Sequence, residues 1–237
     1  MKSYYSREEI EERIRVLLHN NIDQLYNDDC IKYNSFTTKD ADGHQEPTSE
    51  VISKILLDNI GQLERIKMIK RELPYFTKTH ANRPIPTSNR GEERIAIIIH
   101  HKSQDGILSH ELTSKIGNVL DYQVPLNKNK SDHAGKIDLL SIRGKDVLVL
   151  ELKRPDNSES MLRCVLEAYT YSKTVYKDKL LSDFNLPEDS QIIPCPLVFY
   201  GHVQYNQYMD HLHYPNLRKL MEKLGVRPIF ISQEEYE

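Results

Sequence analysis

Hydrophobic positions fall at helical spacing in the first third of this chain and gather into β-type runs further on. Ser6 and Glu9 form an S-x-x-E capping box, a helix-start signature. Ile10, Ile14, Leu17, Leu18, Ile22 and Leu25 continue one apolar stripe behind it, so the spacing predicts a helix over residues 7–27. Asp28 to Pro47 is polar, contains Gly43 and predicts a loop. A second stripe runs Val51, Ile52, Ile55, Leu56, Ile60, Leu63, Ile66, Ile69. It predicts a long helix capped by Thr48 or Ser49 and closed by Pro74, with Gly61 its weak point. The basic end from Arg65 to Arg71 suits a helix C-terminus. It reads as a solvated face, with a nucleic-acid contact as the alternative. Phe76 to Arg90, with Pro84 and Pro86, reads as a connector.

From Glu92 the texture changes. Residues 92–101 are rich in β-branched side chains, but Asn89 followed by Glu92 looks like a helix cap, which predicts a helix. A helical turn is expected around Leu108, Leu112 and Ile116, then a strand over Val119 to Leu126. Ile137 to Ile142 and Val147 to Leu152 predict two strands joined by a turn at Arg143-Gly144-Lys145-Asp146. The second of these is apolar on both faces, the mark of a strand covered on both sides. Ser158 caps an expected helix reaching Lys173, with Leu162, Val165, Leu166 and Tyr169 as its core stripe. Strand material at Ile192-Ile193 and at Leu197 to Tyr200 is split by Pro194 and Pro196. A helix from Leu217 to Leu224 ending at Gly225 and a strand from Arg227 to Ser232 complete the pattern. This alternation defines an α/β layer architecture preceded by a helical region. The expected division is 1–88 for the helical region and 89–237 for the α/β domain.

Composition adds limits. Hydrophobic residues make up 38% of the 237, and they are clustered, which excludes a chain disordered throughout. The formal net charge of −3 gives no global basic signature, so any nucleic-acid surface has to be a local patch. Three cysteines, Cys30, Cys164 and Cys195, are odd in number and lack C-x-x-C spacing. That predicts reduced thiols and a cytoplasmic protein rather than a zinc site. No run of about 18 apolar residues occurs, so no membrane span is expected.

The chemistry concentrates at the hairpin. Asp138 lies in an apolar strand, and the next strand ends Glu151-Leu152-Lys153. Charges at the end of a buried strand are costly without a partner or a use. Two converging carboxylates repel unless a cation separates them, and hard oxygen ligands suit Mg²⁺ or Mn²⁺ better than Zn²⁺. Lys153 shares a strand face with Glu151, where it can stabilise charge on a phosphate or act on a water. Surface acids and a bare E-x-K also arise by chance, which is the competing reading. His100-His101 is adjacent and cannot present both rings to one ligand. His202, His211 and His213 among Tyr200, Tyr205, Tyr208 and Tyr214 read as a core edge before a base-stacking surface.

Asp138 on one strand and Glu151-x-Lys153 on the next resemble the PD-(D/E)XK nuclease superfamily, over residues 90–201. The order helix, three strands, helix, strand is similar too. The resemblance implies a restriction-endonuclease-like fold, a mixed-sheet core flanked by helices, and a metal-dependent nuclease acting on phosphodiester bonds, DNA ahead of RNA. It implies Asp138, Glu151 and the Leu152 carbonyl as ligands for Mg²⁺ or Mn²⁺, and Lys153 as the catalytic cation. A helix acid would complete the set: Glu93 first, Glu111 as runner-up, Glu92 as a register neighbour. Arg163, Glu167 and Tyr171 recur every four residues on one helix face. Some branches of the family carry Gln-x-x-x-Tyr there, and Glu167 stands where that pattern has Gln. The alternative expectation is a nuclease-fold module that binds nucleic acid or a protein partner without cutting. The helical N-terminal region is expected to bind substrate or a second subunit, so a homodimer is compatible with either.

Overall fold

Ser6 Oγ accepts the Glu9 N–H at 3.2 Å and Glu9 Oε2 accepts the Ser6 N–H at 2.8 Å, so the capping box starts the first helix where expected. The computed structural model describes residues 4–77, 80, 84–85, 91–127 and 135–237. A short strand β1 (Tyr4–Ser6) leads into α1 (Arg7–Asn20). This helix is shorter than its stripe predicts. It ends at Asn21, whose N–H donates to the Leu17 carbonyl at 2.9 Å, and a 3₁₀ turn over Ile22–Asn27 carries Leu25 and Tyr26 into the core instead.

The polar stretch expected as loop holds α2 (Asp29–Lys32), β2 (Thr37–Lys39) and β3 (Gln45–Pro47). β1 pairs parallel and β3 antiparallel with β2, giving a small three-stranded sheet. The second long helix is also cut short. α3 (Thr48–Asp58) stops at Asn59, whose side chain donates to the Ile55 carbonyl at 2.8 Å, and only the single turn α4 (Ile60–Leu63) follows. Beyond it the chain crosses the end of a later helix, with the Ile69 N–H donating to the Thr174 carbonyl at 2.9 Å. Tertiary contact overrides the helical spacing of Ile66 and Ile69. The basic end divides accordingly. Arg65, Lys67 and Lys70 are exposed, while Arg71 is buried and donates to the carbonyls of Pro74 and Asn127.

α5 (Gly91–Gln104) confirms the helix over the β-branched run, although Asn89 lies outside the described residues. α6 (His110–Ile116) follows and ends at Gly117 with φ +72. A Cβ there would lie 2.1 Å from the Ile142 carbonyl oxygen, so only glycine lets α6 seat on the sheet. The strands are β4 (Asn118–Pro125), β5 (Lys136–Arg143), β6 (Asp146–Leu152), β7 (Gln191–Phe199) and β8 (Ile229–Ile231). They form one five-stranded mixed sheet in that order, antiparallel through β6 and parallel from β6 to β8.

β7 is one strand, although two prolines predicted a split. Pro194 and Pro196 keep their register with β6, and the Pro194 carbonyl turns the other way to accept the Arg227 N–H at 3.0 Å. β8 pairs only from Leu197 onward, so the missing proline N–H groups fall where no strand asks for them.

Helices cover both faces. Ile95, Ala96, Ile97 and Ile99 of α5 and Leu112 and Ile116 of α6 pack on Leu139, Leu148 and Leu150. On the other face α7 (Met161–Thr174) and α10 (Pro215–Leu224) share one core with Val147, Val149 and the buried residues of α1 and α3. Stretches 1–88 and 89–237 therefore meet in a continuous hydrophobic core. α8 (Lys177–Asp183) and α9 (Val203–Met209) complete the helices. α7 is capped by Ser160 rather than Ser158. Ser160 is fixed from outside, since its N–H donates to the Lys32 carbonyl at 2.8 Å and its hydroxyl to the Ile31 carbonyl. Among the described residues no helix is long and apolar enough to cross a membrane.

Candidate active site

The β5–β6 ladder sets the site. Its pairs run from Arg143↔Asp146 to Leu139↔Leu150 and stop there. One position further the same register would oppose Asp138 to Glu151. Instead Asp138 Oδ2 accepts the Leu152 N–H at 3.0 Å, a side chain closing the fork between the strands. A strand residue presents its N–H and its carbonyl to the same neighbour, so the Leu152 carbonyl faces the Asp138 side as well. The Lys153 N–H turns the other way, to the Leu197 carbonyl at 3.1 Å.

Asp138, Glu151 and Lys153 are all buried, with 8%, 4% and 3% of their surface exposed, which leaves almost no water to share their charge. Burial pushes the Asp138 carboxyl up to about 6, against the pull of Lys153 and with added repulsion from Glu92. Burial drives Glu151 well above the carboxylate range too, reinforced by Asp138 and Glu167. Glu151 Oε1 accepts from Lys153 Nζ at 2.7 Å, and a side-chain hydrogen bond joins the Glu151 and Glu167 carboxyls.

Lys153 is clamped. Its Nζ lies 2.7 Å from Glu151 Oε1, 3.0 Å from Glu167 Oε2 and 3.8 Å from Glu159 Oε2. Burial alone would lower its pKa, but the Glu151 and Glu167 charges raise it well above the usual value, so it stays an ammonium. Glu167 shows the reverse balance. Burial disfavours its charge, and Lys153 with Arg163 holds the carboxyl below the usual range.

The face of α7 read from the sequence comes to this point. Arg163 Nη2 lies 3.3 Å from Glu167 Oε1, and the Tyr171 hydroxyl donates to the same oxygen at 3.3 Å. Arg163 also reaches Glu159 Oε2 at 2.7 Å and donates to the Tyr26 carbonyl at 2.6 Å, while the Tyr26 and Tyr171 rings meet edge to face. The N-terminal region is thus part of the wall behind Lys153.

The helix acids separate. Glu92 and Glu93, at the start of α5, line one cleft with Asp138, Gly91, Gln123, Arg154 and Asn157, of about 470 Å³. The Glu92 charge raises Asp138, and Glu92 Oε1 accepts from Asn157 Nδ2 at 3.1 Å. Glu111 does not line this cleft. It is exposed and pairs with Lys115 at 2.9 Å, which also holds Glu235 at 2.8 Å. Among the described residues the one group of three ligand-type side chains with all ligand atoms within 4.8 Å is Asp40, Asp42 and His44, on the exposed turn between β2 and β3. Among the described residues no third carboxylate joins Asp138 and Glu151 in a group that close.

Sequence reasoning missed Gln123 and Gln204. Gln123 Nε2 donates to Asp138 Oδ1 at 2.8 Å, from a residue at φ +47, a backbone region side-chain-bearing residues seldom occupy. Neither its φ nor its place opposite Asp138 is written in local spacing. Gln204 of α9 is buried and donates to the Glu159 carbonyl at 2.8 Å, holding the loop after Lys153. In the aromatic segment around it Tyr200, Tyr205 and Tyr208 gather on Phe230, while Tyr200 is 44% exposed and His202, His211 and His213 are exposed. No family model, curated protein or solved structure matches the chain.

Proposed function

We propose that this protein is a metal-dependent nuclease of restriction-endonuclease-like fold that hydrolyses phosphodiester bonds in nucleic acid, DNA ahead of RNA. One observation carries the reading. A sheet fork buries Asp138 and Glu151 side by side against a fixed ammonium. Two buried carboxylates that resist ionising together are poor structure and good ligands. The donor set of carboxylate oxygens and the Leu152 carbonyl fits Mg²⁺ or Mn²⁺. Such an ion, when bound, supplies Lewis acidity and lowers the pKa of a bound water.

The remaining roles belong to the chain. Lys153, held cationic by Glu151 and Glu167, stabilises charge developing on a phosphate and does not take a proton. Gln123 and the Leu152 N–H fix both oxygens of Asp138. Glu167, Arg163 and Tyr171 keep the Lys153 ammonium in place from behind. Glu93 and Glu92 both stand at the mouth of the cleft, and either is placed to assist. DNA as the preferred substrate follows from the resemblance alone.

The test is cleavage of single- and double-stranded DNA and RNA by purified protein with Mg²⁺ or Mn²⁺, beside Lys153→Ala. Activity untouched by that change would sink the role of Lys153. Among the described residues no third carboxylate joins Asp138 and Glu151 in a tight group, which favours a second reading, a nuclease-fold module that binds nucleic acid or a protein partner without cutting. Calorimetry separates the two, since the module predicts no heat of Mg²⁺ binding at millimolar concentration.

A further inference from the structure

Among the described residues Arg154 is the cation that lines the open cleft, and it follows the buried Lys153 directly. Its side chain lies across the start of α5. A Cβ on Gly91 would fall 2.2 Å from Arg154 Cδ and 3.0 Å from Nη1, so this course is available only because residue 91 has no side chain. Its carboxylate partner is Asp156, at 3.1 Å from Nε, and Asp156 is 72% exposed. Water screens a pair of that kind, and it is worth little. Arg154 therefore carries a planar donor set in the cleft that also holds Asp138, held by packing against a glycine rather than by a strong ion pair. Lys153 lies deeper, with Nζ between Glu151 and Glu167, so Arg154 is the outer of the two cations.

We propose that Arg154 is a positioning residue that grips a backbone phosphate of a nucleic-acid strand and sets the strand's place against Asp138, with Gly91 providing the room for its side chain. The proposal rests on the nuclease reading for the identity of the ligand. A guanidinium matches a phosphate with two parallel N–H bonds, which fix orientation as well as supply attraction. The grip is independent of sequence and sensitive to salt.

The experiment measures binding of a short fluorescein-labelled DNA duplex and of the matching single strand by anisotropy, in Ca²⁺ and over a range of salt. Cleavage in Mg²⁺ is read separately. Arg154→Ala is expected to weaken binding about tenfold and to lower the slope of log K against log salt by about one. Arg154→Lys keeps the slope and recovers only part of the affinity. Gly91→Ala, which leaves the arginine in place and fills its bed, weakens binding in the same direction by a smaller factor. An unchanged affinity and slope in Arg154→Ala would overturn the grip, and so would a wild-type protein that binds neither DNA. A wild type that binds with the expected slope change but never cleaves supports the grip while removing the nuclease reading. Wild-type cleavage with an unaffected Arg154→Ala does the opposite.

Discussion

Asp138 and Leu152 are joined by a bond in which a side chain stands where the ladder would have continued: Asp138 Oδ2 accepts the Leu152 N–H at 3.0 Å. The same acid therefore shapes the strand end and supplies charge to the cleft. Asp138→Asn separates the two roles. The amide oxygen can still accept from Leu152, and the charge is gone. The expected result is an unchanged circular dichroism spectrum with cleavage in Mg²⁺ reduced about a hundredfold or more. A variant as active as wild type would show that this carboxylate is structural only.

Gln123 gives a second test, of strain. It holds the other oxygen of Asp138 from a backbone at φ +47. Gln123→Ala loses the bond and keeps the strain, whereas Gln123→Gly loses the bond and releases it. Glycine should therefore be the more stable of the two, by about 1 kcal/mol in urea unfolding. Alanine equal to or better than glycine would mean that the conformation costs nothing there.

These two residues also show where the sequence stops being readable. Asp138, Glu151 and Lys153 were legible because an apolar strand that ends in charges is conspicuous, and the turn at Gly144 fixes which strand meets which. α5 was legible from a cap pattern that outweighed its β-branched letters. Gln123 was not, because it matters through a register and a dihedral angle that no local spacing encodes. The same limit produced the overlong second helix. Ile66 and Ile69 keep helical spacing, but the Ile69 N–H is taken by Thr174, more than a hundred residues on. The start of α7 moved from Ser158 to Ser160 for a similar reason, since Ile31 and Lys32 hold Ser160 from another part of the chain.

Glu167 stands between two cations, 3.0 Å from Lys153 and 3.3 Å from Arg163. Glu167→Gln asks what its charge contributes. Glutamine keeps a hydrogen-bonding oxygen but leaves Lys153 and Arg163 undercompensated in a buried site. The expected cost is about 1–3 kcal/mol in chemical denaturation. Glu167→Leu should cost more, because both cations then lose the acceptor altogether. A glutamine variant as stable as wild type would show that Glu151 and Glu159 suffice to hold Lys153.

The raised carboxyl of Asp138 makes stability depend on pH with a sign opposite to that of an ordinary paired acid. Burial lifts it from 3.8 to about 6, so between those values the folded protein holds a proton that the unfolded chain has released. Its contribution to stability is therefore full below about 3.8 and is lost as pH rises through about 6. A divalent cation in the fork reverses the balance above that pH, because it binds the ionised carboxylate and competes with the proton. Added Mg²⁺ should thus raise the thermal midpoint more near pH 7.5 than near pH 5. In Asp138→Asn the metal-free protein should lose less stability over the same rise in pH, and the Mg²⁺ effect should shrink at both ends. Equal midpoint gains at the two pH values in the wild type would place Mg²⁺ somewhere other than this fork, with the exposed Asp40, Asp42 and His44 turn the next place to examine by substitution.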